Sequence, residues 1–280
     1  MNEKTRAARP YFHGKPVRRI AGRDDDFQCE EAKPFFFSGS RRTGILMLHG
    51  FTGSVSHMRP LGEVLRNKGY TVMGINIPGH ADSLEALEAN GQDAWKKACE
   101  EAAKRLRASC DLVIACGVSM GGVLSMILAE EKLVDGVISI SAPYGVKQPV
   151  MKFGRAISGI KPLIYWRENA ERAQQMMQGY DRGYAGFPAK SASELYDLIQ
   201  EMVRNLDRVA CRVYLIQSKT DDTIPLDSME KFAGRLQRTR TAQLEDAPHM
   251  CTISRRHFEQ VAALVLEGAA WVEGTDPGDQ

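Results

Sequence analysis

From Gly44 onward, short uninterrupted apolar runs alternate with segments whose apolar residues return every three or four positions. The runs GILMLHG (44–50), YTVMGINIP (70–78), DLVIACGVS (111–119), VDGVISISAP (134–143), CRVYLIQS (211–218) and TAQLED (241–246) predict strands. HMRPLGEVLRNKG (57–69), stopped by its glycine, GQDAWKKACEEAAKRLRA (91–108) and GGVLSMILAEEK (121–132) predict helices, as do segments near 226–238 and 255–270. Strands that are apolar at consecutive positions are buried on both faces. Regular alternation with helices therefore predicts an α/β fold built on a mostly parallel, doubly wound sheet.

One stretch breaks the rhythm. Residues 145–205 carry helical patches and no clear strand, and are rich in Met151, Phe153, Tyr165, Trp166, Met176, Met177, Tyr180, Tyr184 and Phe187. This reads as a helical cap inserted after the strand at 134–143. Most of its large side chains are expected to pack the cap onto the core, and some, Tyr165 and Trp166 among them, to line an apolar pocket. The remaining boundaries are an N-terminal arm at 1–32, one α/β domain formed by 33–144 and 206–272, and an acidic, frayed tail at 273–280.

A chain of 280 residues can bury a sizeable core, and its 43% hydrophobic and 26% charged residues are ordinary for a globular protein. A net charge of +2 gives no general attraction to nucleic acid or anionic lipid. No window approaches the roughly 20 apolar residues of a membrane span, and no apolar segment follows the basic N-terminus as a secretion signal would require. The six cysteines show no C-x-x-C spacing, so reduced thiols and a cytoplasmic location are expected. The expected partner is a small molecule, with the chain a monomer or homodimer.

The sequence ACGVSMGG (115–122) sets a serine between glycines where a strand runs into a helix. Glycine weakens a helix by roughly 1 kcal/mol against alanine, so regular structure does not explain it. A serine hydroxyl becomes a nucleophile when it is exposed, aimed and next to a base. A sharp strand-to-helix turn exposes it, and small neighbours such as Gly117 and Gly121 make that turn feasible. Ser119 is thus the candidate nucleophile, with the helix N-terminus beside it.

Of six histidines, His249 follows the last strand, on the sheet edge where Ser119 sits and where open α/β sheets build sites. His57, at a helix start, is a candidate for bordering the pocket. His49 and His80 are read as loop-shaping, His13 as part of a flexible arm, and His257 as a packing or surface residue inside the last helix. An imidazole base needs a carboxylate to fix its tautomer. The loop QSKTDDTIP offers Asp221, preferred for its place at the turn before Ile224-Pro225, and Asp222 as its rival; Asp246 is an outside candidate. The backbone N–H groups of Met120 and Phe51 are the candidate donors to a tetrahedral oxyanion.

With these residues in place the sequence resembles the α/β-hydrolase superfamily, and within it the bacterial carboxylesterase and monoacylglycerol lipase group. The likeness rests on KPFFFSG (33–39), LMLHGFTGS (46–54), LRNKGYTV (65–72), GVSMGG (117–122), QSKTDDTIP (217–225) and APHMCTIS (247–254), and on the chain order Ser119, Asp221, His249. It implies an α/β-hydrolase fold and hydrolysis of short- to medium-chain carboxylic esters or monoacylglycerols through an acyl-enzyme, with no metal and no organic cofactor. The chain departs from the pattern at Gly79-His80-Ala81, where such proteins often show Gly-His-Gly. Two alternatives stay open: an acyltransferase using the same three side chains, and a hydrolase-like ligand-binding protein with little turnover.

Overall fold

Seven of the strands assemble into one sheet in a computed structural model, which describes residues 11–19, 25–148, 150–167 and 174–275. In chain order the strands are β1 (Tyr11–Phe12), β2 (Lys15–Pro16), β3 (Phe35–Phe37), β4 (Thr43–Leu48), β5 (Thr71–Gly74), β6 (Leu112–Val118), β7 (Gly136–Ile140), β8 (Leu163–Tyr165), β9 (Gly186–Pro188), β10 (Arg212–Ser218) and β11 (Thr239–Leu244). The helices are α1 (Arg59–Asn67), α2 (Leu84–Ala89), α3 (Gln92–Arg107), α4 (Met120–Glu130), α5 (Val150–Ile157), α6 (Ala189–Asn205), α7 (Ser228–Ala233) and α8 (Phe258–Glu273). Across the sheet the order is β11-β10-β7-β6-β4-β5-β3. Only β3 runs antiparallel to its neighbour β5.

Alternate strand residues feed two separate cores, as period-2 geometry requires. Leu46, Leu48, Val113, Ala115, Val137 and Leu215 pack on one face with Trp95 of α3, Val123 of α4 and Leu198 of α6. Ile45, Met47, Ile114, Cys116, Ile138 and Ile216 pack on the other with Leu61 of α1 and Val265 of α8. Every residue of α4 is buried, because that helix lies between the sheet and α6. No helix among the described residues is long and apolar enough to cross a membrane.

The insertion is not purely helical, contrary to the sequence expectation. Between α5 and α6, β8 pairs antiparallel with β9, Leu163 opposite Pro188 and Tyr165 opposite Gly186. Runs of three residues are too short to display a period of two, so pattern alone misses them. Helices α5 and α6 meet closely at Gly154, where a Cβ would fall within bonding range of the Ala189 carbonyl. Arg155 clamps the pair by reaching Glu194 and Asp197.

Other expectations shift. Helix α2, capped by Ser83 Oγ accepting from the Ala86 N–H at 3.1 Å, was not expected, and only 71–74 of the run 70–78 pair as strand. The helix near 226–238 shortens to Ser228–Ala233. His13 is not in a free arm: it turns the β1–β2 hairpin and binds α2, its N–H to Glu85 and its Nε2 to Glu88, both at 2.8 Å. Nor is Glu273 frayed. Its carboxylate ends α8 by accepting from Thr43 (2.5 Å), Arg41 (2.9 Å) and Tyr70 (3.1 Å), which ties the last helix to the first parallel strand. Of the expected arm, cap and tail, residues 1–10, 20–24, 149, 168–173 and 276–280 lie outside the described residues.

Candidate active site

The serine sits where β6 stops and α4 starts, with φ 55° and ψ −118°. Left-handed backbone at a non-glycine residue costs of order 1–3 kcal/mol and persists where the surroundings over-determine it. Here they do. A Cβ on Gly117 would come within 2.1 Å of the Gly121 carbonyl oxygen, and one on Gly121 within 2.1 Å of the Leu48 carbonyl oxygen. The Ser119 N–H donates to the Ile140 carbonyl at 2.8 Å, fixing the turn to β7. The glycines therefore let three backbones close on one another and leave the hydroxyl at the sheet's carboxyl edge.

On that edge the loops after β10 and β11 meet. His249 Nδ1 lies 2.8 Å from Asp221 Oδ2. A carboxylate can only accept, so Nδ1 carries the proton and Nε2 presents a lone pair. Asp221 Oδ1 accepts from the N–H groups of Thr223 (2.9 Å) and Ile224 (3.1 Å), and Lys147 Nζ donates to the Asp221 carbonyl at 2.9 Å. Burial works to raise the Asp221 pKa, but the neighbouring imidazole and the N–H groups of Thr223 and Ile224 outweigh it and hold the carboxyl below its usual range. The rivals go elsewhere. Asp222 is exposed and meets Thr223, while Asp246 binds His257 at 3.1 Å and Arg256 at 2.7 Å.

Ser119 and His249 line one cavity of about 100 Å³. No hydrogen bond joins their side chains among the described residues. Phe51 forms part of the same wall. Neither its N–H nor that of Met120 donates to another group among the described residues. The loop that presents Phe51 is pinned by His49, whose Nε2 accepts from the Ile77 N–H at 3.0 Å and whose Nδ1 therefore donates to the Gly50 carbonyl at 2.8 Å. Complete burial pushes its pKa well below the ordinary imidazole value, so the ring stays neutral. Burial takes the adjacent His80 down to about 4. The next residue, Thr52, is left-handed (φ 63°) and held from the cap: its carbonyl accepts from the Tyr184 N–H at 2.9 Å, its hydroxyl from Trp166 Nε1 at 3.0 Å.

Of the expected pocket residues, His57 and Trp166 line the cavity and Tyr165 does not. Tyr165 closes β8 and Trp166 follows it, and successive residues of an extended chain point to opposite sides. The Tyr165 hydroxyl instead accepts from the Arg18 N–H at 3.1 Å, in a wider outer groove it shares with His249. His57 occupies a single 3-10 turn before α1, and Asp181, which sequence reasoning did not single out, stands 3.4 Å from its Nε2. Leu195 and Ile199 of α6 also reach the cavity, and their i, i+4 spacing carries that signal. His257 is not inside the last helix but precedes it, buried, with Nδ1 on Ser254 Oγ at 2.9 Å.

A doubly wound sheet that ends a central strand in a left-handed serine, opening directly into a buried helix, defines the α/β-hydrolase architecture. A family model described as the alpha/beta hydrolase family matches residues 45–264, and the chain belongs to that family. It is 26% identical over 228 residues to a carboxylesterase of Bacillus subtilis (strain 168), covering 80% of this chain and 90% of that protein. It is 29% identical over 195 residues to a thermostable monoacylglycerol lipase of Bacillus sp. (strain H-257), covering 69% of this chain and 76% of the other. Among solved structures it resembles one from work on LipS and LipT, two metagenome-derived lipolytic enzymes. The TM-score there is 0.78 at 24% identity, with 88% of this chain and 98% of the other covered.

Proposed function

We propose that this protein is a carboxylic ester hydrolase that cleaves short- to medium-chain acyl esters, monoacylglycerols among them, through an acyl-enzyme on Ser119. His249 takes the hydroxyl proton as Ser119 Oγ attacks the ester carbonyl. Asp221 holds the imidazole in the required tautomer and steadies the imidazolium. The N–H groups of Phe51 and Met120 receive the developing oxyanion, each such donor being worth about 3–4 kcal/mol of barrier. The protonated imidazole then passes its proton to the departing alkoxide, and water, deprotonated by the same ring, releases the acid. The apolar cap wall formed by Met151, Trp166, Phe187, Leu195 and Ile199 suits an alkyl chain.

The observation that carries this reading is that the left-handed serine and the Asp221-paired histidine border a single cavity. The names of the two Bacillus relatives agree with it. Six cysteines, all unpaired, support a reducing compartment such as the cytoplasm. Ser119→Ala, with its thermal unfolding compared with that of the parent, tests the mechanism. Turnover of p-nitrophenyl butyrate is expected to fall by about a millionfold, with covalent labelling by a fluorophosphonate abolished. A folded variant that keeps full activity refutes the nucleophile, and analysis of products with added alcohols separates hydrolysis from acyl transfer.

A further inference from the structure

The loop that carries Asp221 has an anchor outside the Asp221–His249 pair. Gln217 is the last residue but one of β10 and is 4% exposed. A buried amide is costly unless its polar atoms find partners. Here both do, and every partner is a backbone group of residues 225–229. Nε2 donates to the Leu226 carbonyl at 2.9 Å and to the Pro225 carbonyl at 3.3 Å, while Oε1 accepts from the Met229 N–H at 3.0 Å. These partners fix which way the amide points, since a carbonyl only accepts and a backbone N–H only donates.

The bonds close a circuit around Asp221. The chain leaves β10 at Ser218, passes Asp221 and comes back to the Gln217 side chain at Met229, 12 residues on. Its entry is pinned as well, the Lys219 N–H donating to the Leu244 carbonyl at 2.9 Å. Between the two ends, Asp221 Oδ1 accepts from the N–H groups of Thr223 and Ile224. Ile224 is joined to Pro225, whose carbonyl Gln217 holds and which has no N–H to bond elsewhere. The place of the Ile224 N–H, and of the carboxylate oxygen it meets, therefore depends on a side chain from the strand. The Met229 N–H belongs to the first turn of α7, where no carbonyl of the helix can reach it, and the capping residue Asp227 makes no side-chain bond there. Gln217 supplies that acceptor, so a single amide fixes both the loop exit and the helix start.

We infer that Gln217 is a positioning residue for the proposed reaction: it orients the Asp221 carboxylate, and through it the His249 imidazole, without touching substrate. This rests on the reading of Ser119, His249 and Asp221 as the reacting set. Gln217 is not among the residues that line the Ser119 cavity, so its influence falls on the rate of the chemical step and not on the binding of the ester. A fully satisfied buried amide is also suited to the task, because it rigidifies the segment it holds.

A double-mutant cycle on p-nitrophenyl butyrate tests the inference, with thermal unfolding checked for every variant. Gln217→Met keeps the length of the side chain and removes its hydrogen bonds. It is expected to lower kcat by about ten- to a hundredfold, the scale of a small misplacement of a reacting group, with KM near the parental value. In the Asp221→Asn background the same replacement should change kcat by less than about twofold, because a residue acting through Asp221 has nothing left to orient. Gln217→Glu, which keeps the shape and the acceptor for Met229 but not the amide donor, should show a smaller loss with the same dependence on Asp221. It carries the test if Gln217→Met does not fold. Equal fold-losses in the two backgrounds overturn the inference and make Gln217 a support of the fold alone, as does a folded Gln217→Met with parental kcat. An Asp221→Asn variant with parental kcat refutes the proposed reacting set itself, and the role of Gln217 with it.

Discussion

Two histidine–aspartate pairs stand on either side of the turn Cys251–Ile253, and they differ in everything except the pairing distance. His249 meets Asp221 at 2.8 Å and His257 meets Asp246 at 3.1 Å. The Asp221 side chain is wholly buried, whereas that of Asp246 is 48% exposed and shared with Arg256. The decisive contrast is at the other ring nitrogen. In His257 it is spent on Ser254 Oγ, inside the turn that starts α8, while His249 borders the cavity that Ser119 also lines. A histidine–carboxylate pair is thus no sign of chemistry by itself. What fits His249 to the proposed role of base is a buried carboxylate on one side and the space beside Ser119 on the other.

The sharpest way to break this contrast is at the carboxylates. Asp221→Asn should lower kcat on p-nitrophenyl butyrate by about ten-thousandfold, through loss of the correct tautomer, while Asp246→Asn leaves it near the parental value. Equal losses in steady-state assays would erase the distinction. Replacing the histidines should split the two functions differently. His249→Gln is expected to lose turnover with little change in urea unfolding. His257→Phe is expected to keep turnover but destabilise the fold by about 1–3 kcal/mol, since it strands the buried Ser254 hydroxyl.

The smallest effect concerns histidines with no carboxylate. Burial lowers the His80 pKa from its ordinary value near 6.5 to about 4. Between those values the unfolded chain binds the proton and the folded one does not, so stability falls as pH drops through that window. Asp221 behaves differently. Its carboxyl is held low, so its contribution is complete above the unfolded carboxylate range and fades only as pH falls through its own depressed value. His80→Gln should accordingly flatten the dependence of the melting temperature on pH between about 6.5 and 4. An unaltered slope would place the titration elsewhere.

The sheet was legible because strands buried on both faces leave continuous apolar runs, as in LVIACGV, whose residues pack alternately into two cores. The strained turn at Ser119 was legible because its glycines have no other use, and the pairing of Asp221 with His249 because Asp221 stands at the turn before Ile224-Pro225. Legibility ended where contacts join distant short segments. Asp181 reaches His57 across more than a hundred residues, from a stretch with no periodicity. Tyr165 and Trp166 share one aromatic character, and composition cannot say that consecutive residues of an extended chain face opposite ways. The placement of His257 inside the last helix, though not its packing role, failed for a smaller reason: α8 begins a few residues later than its apolar pattern does, and capping residues carry no period.

Thr52 has a consequence for anyone rebuilding this molecule. Its carbonyl and hydroxyl are both held by the insertion, through Tyr184 and Trp166, one position beyond Phe51. A lid borrowed from another hydrolase would arrive without those two donors and would leave the loop before it unmoored. Residues 50–57 and the lid therefore form one exchangeable cassette: specificity grafted by moving the lid alone should be bought with rate.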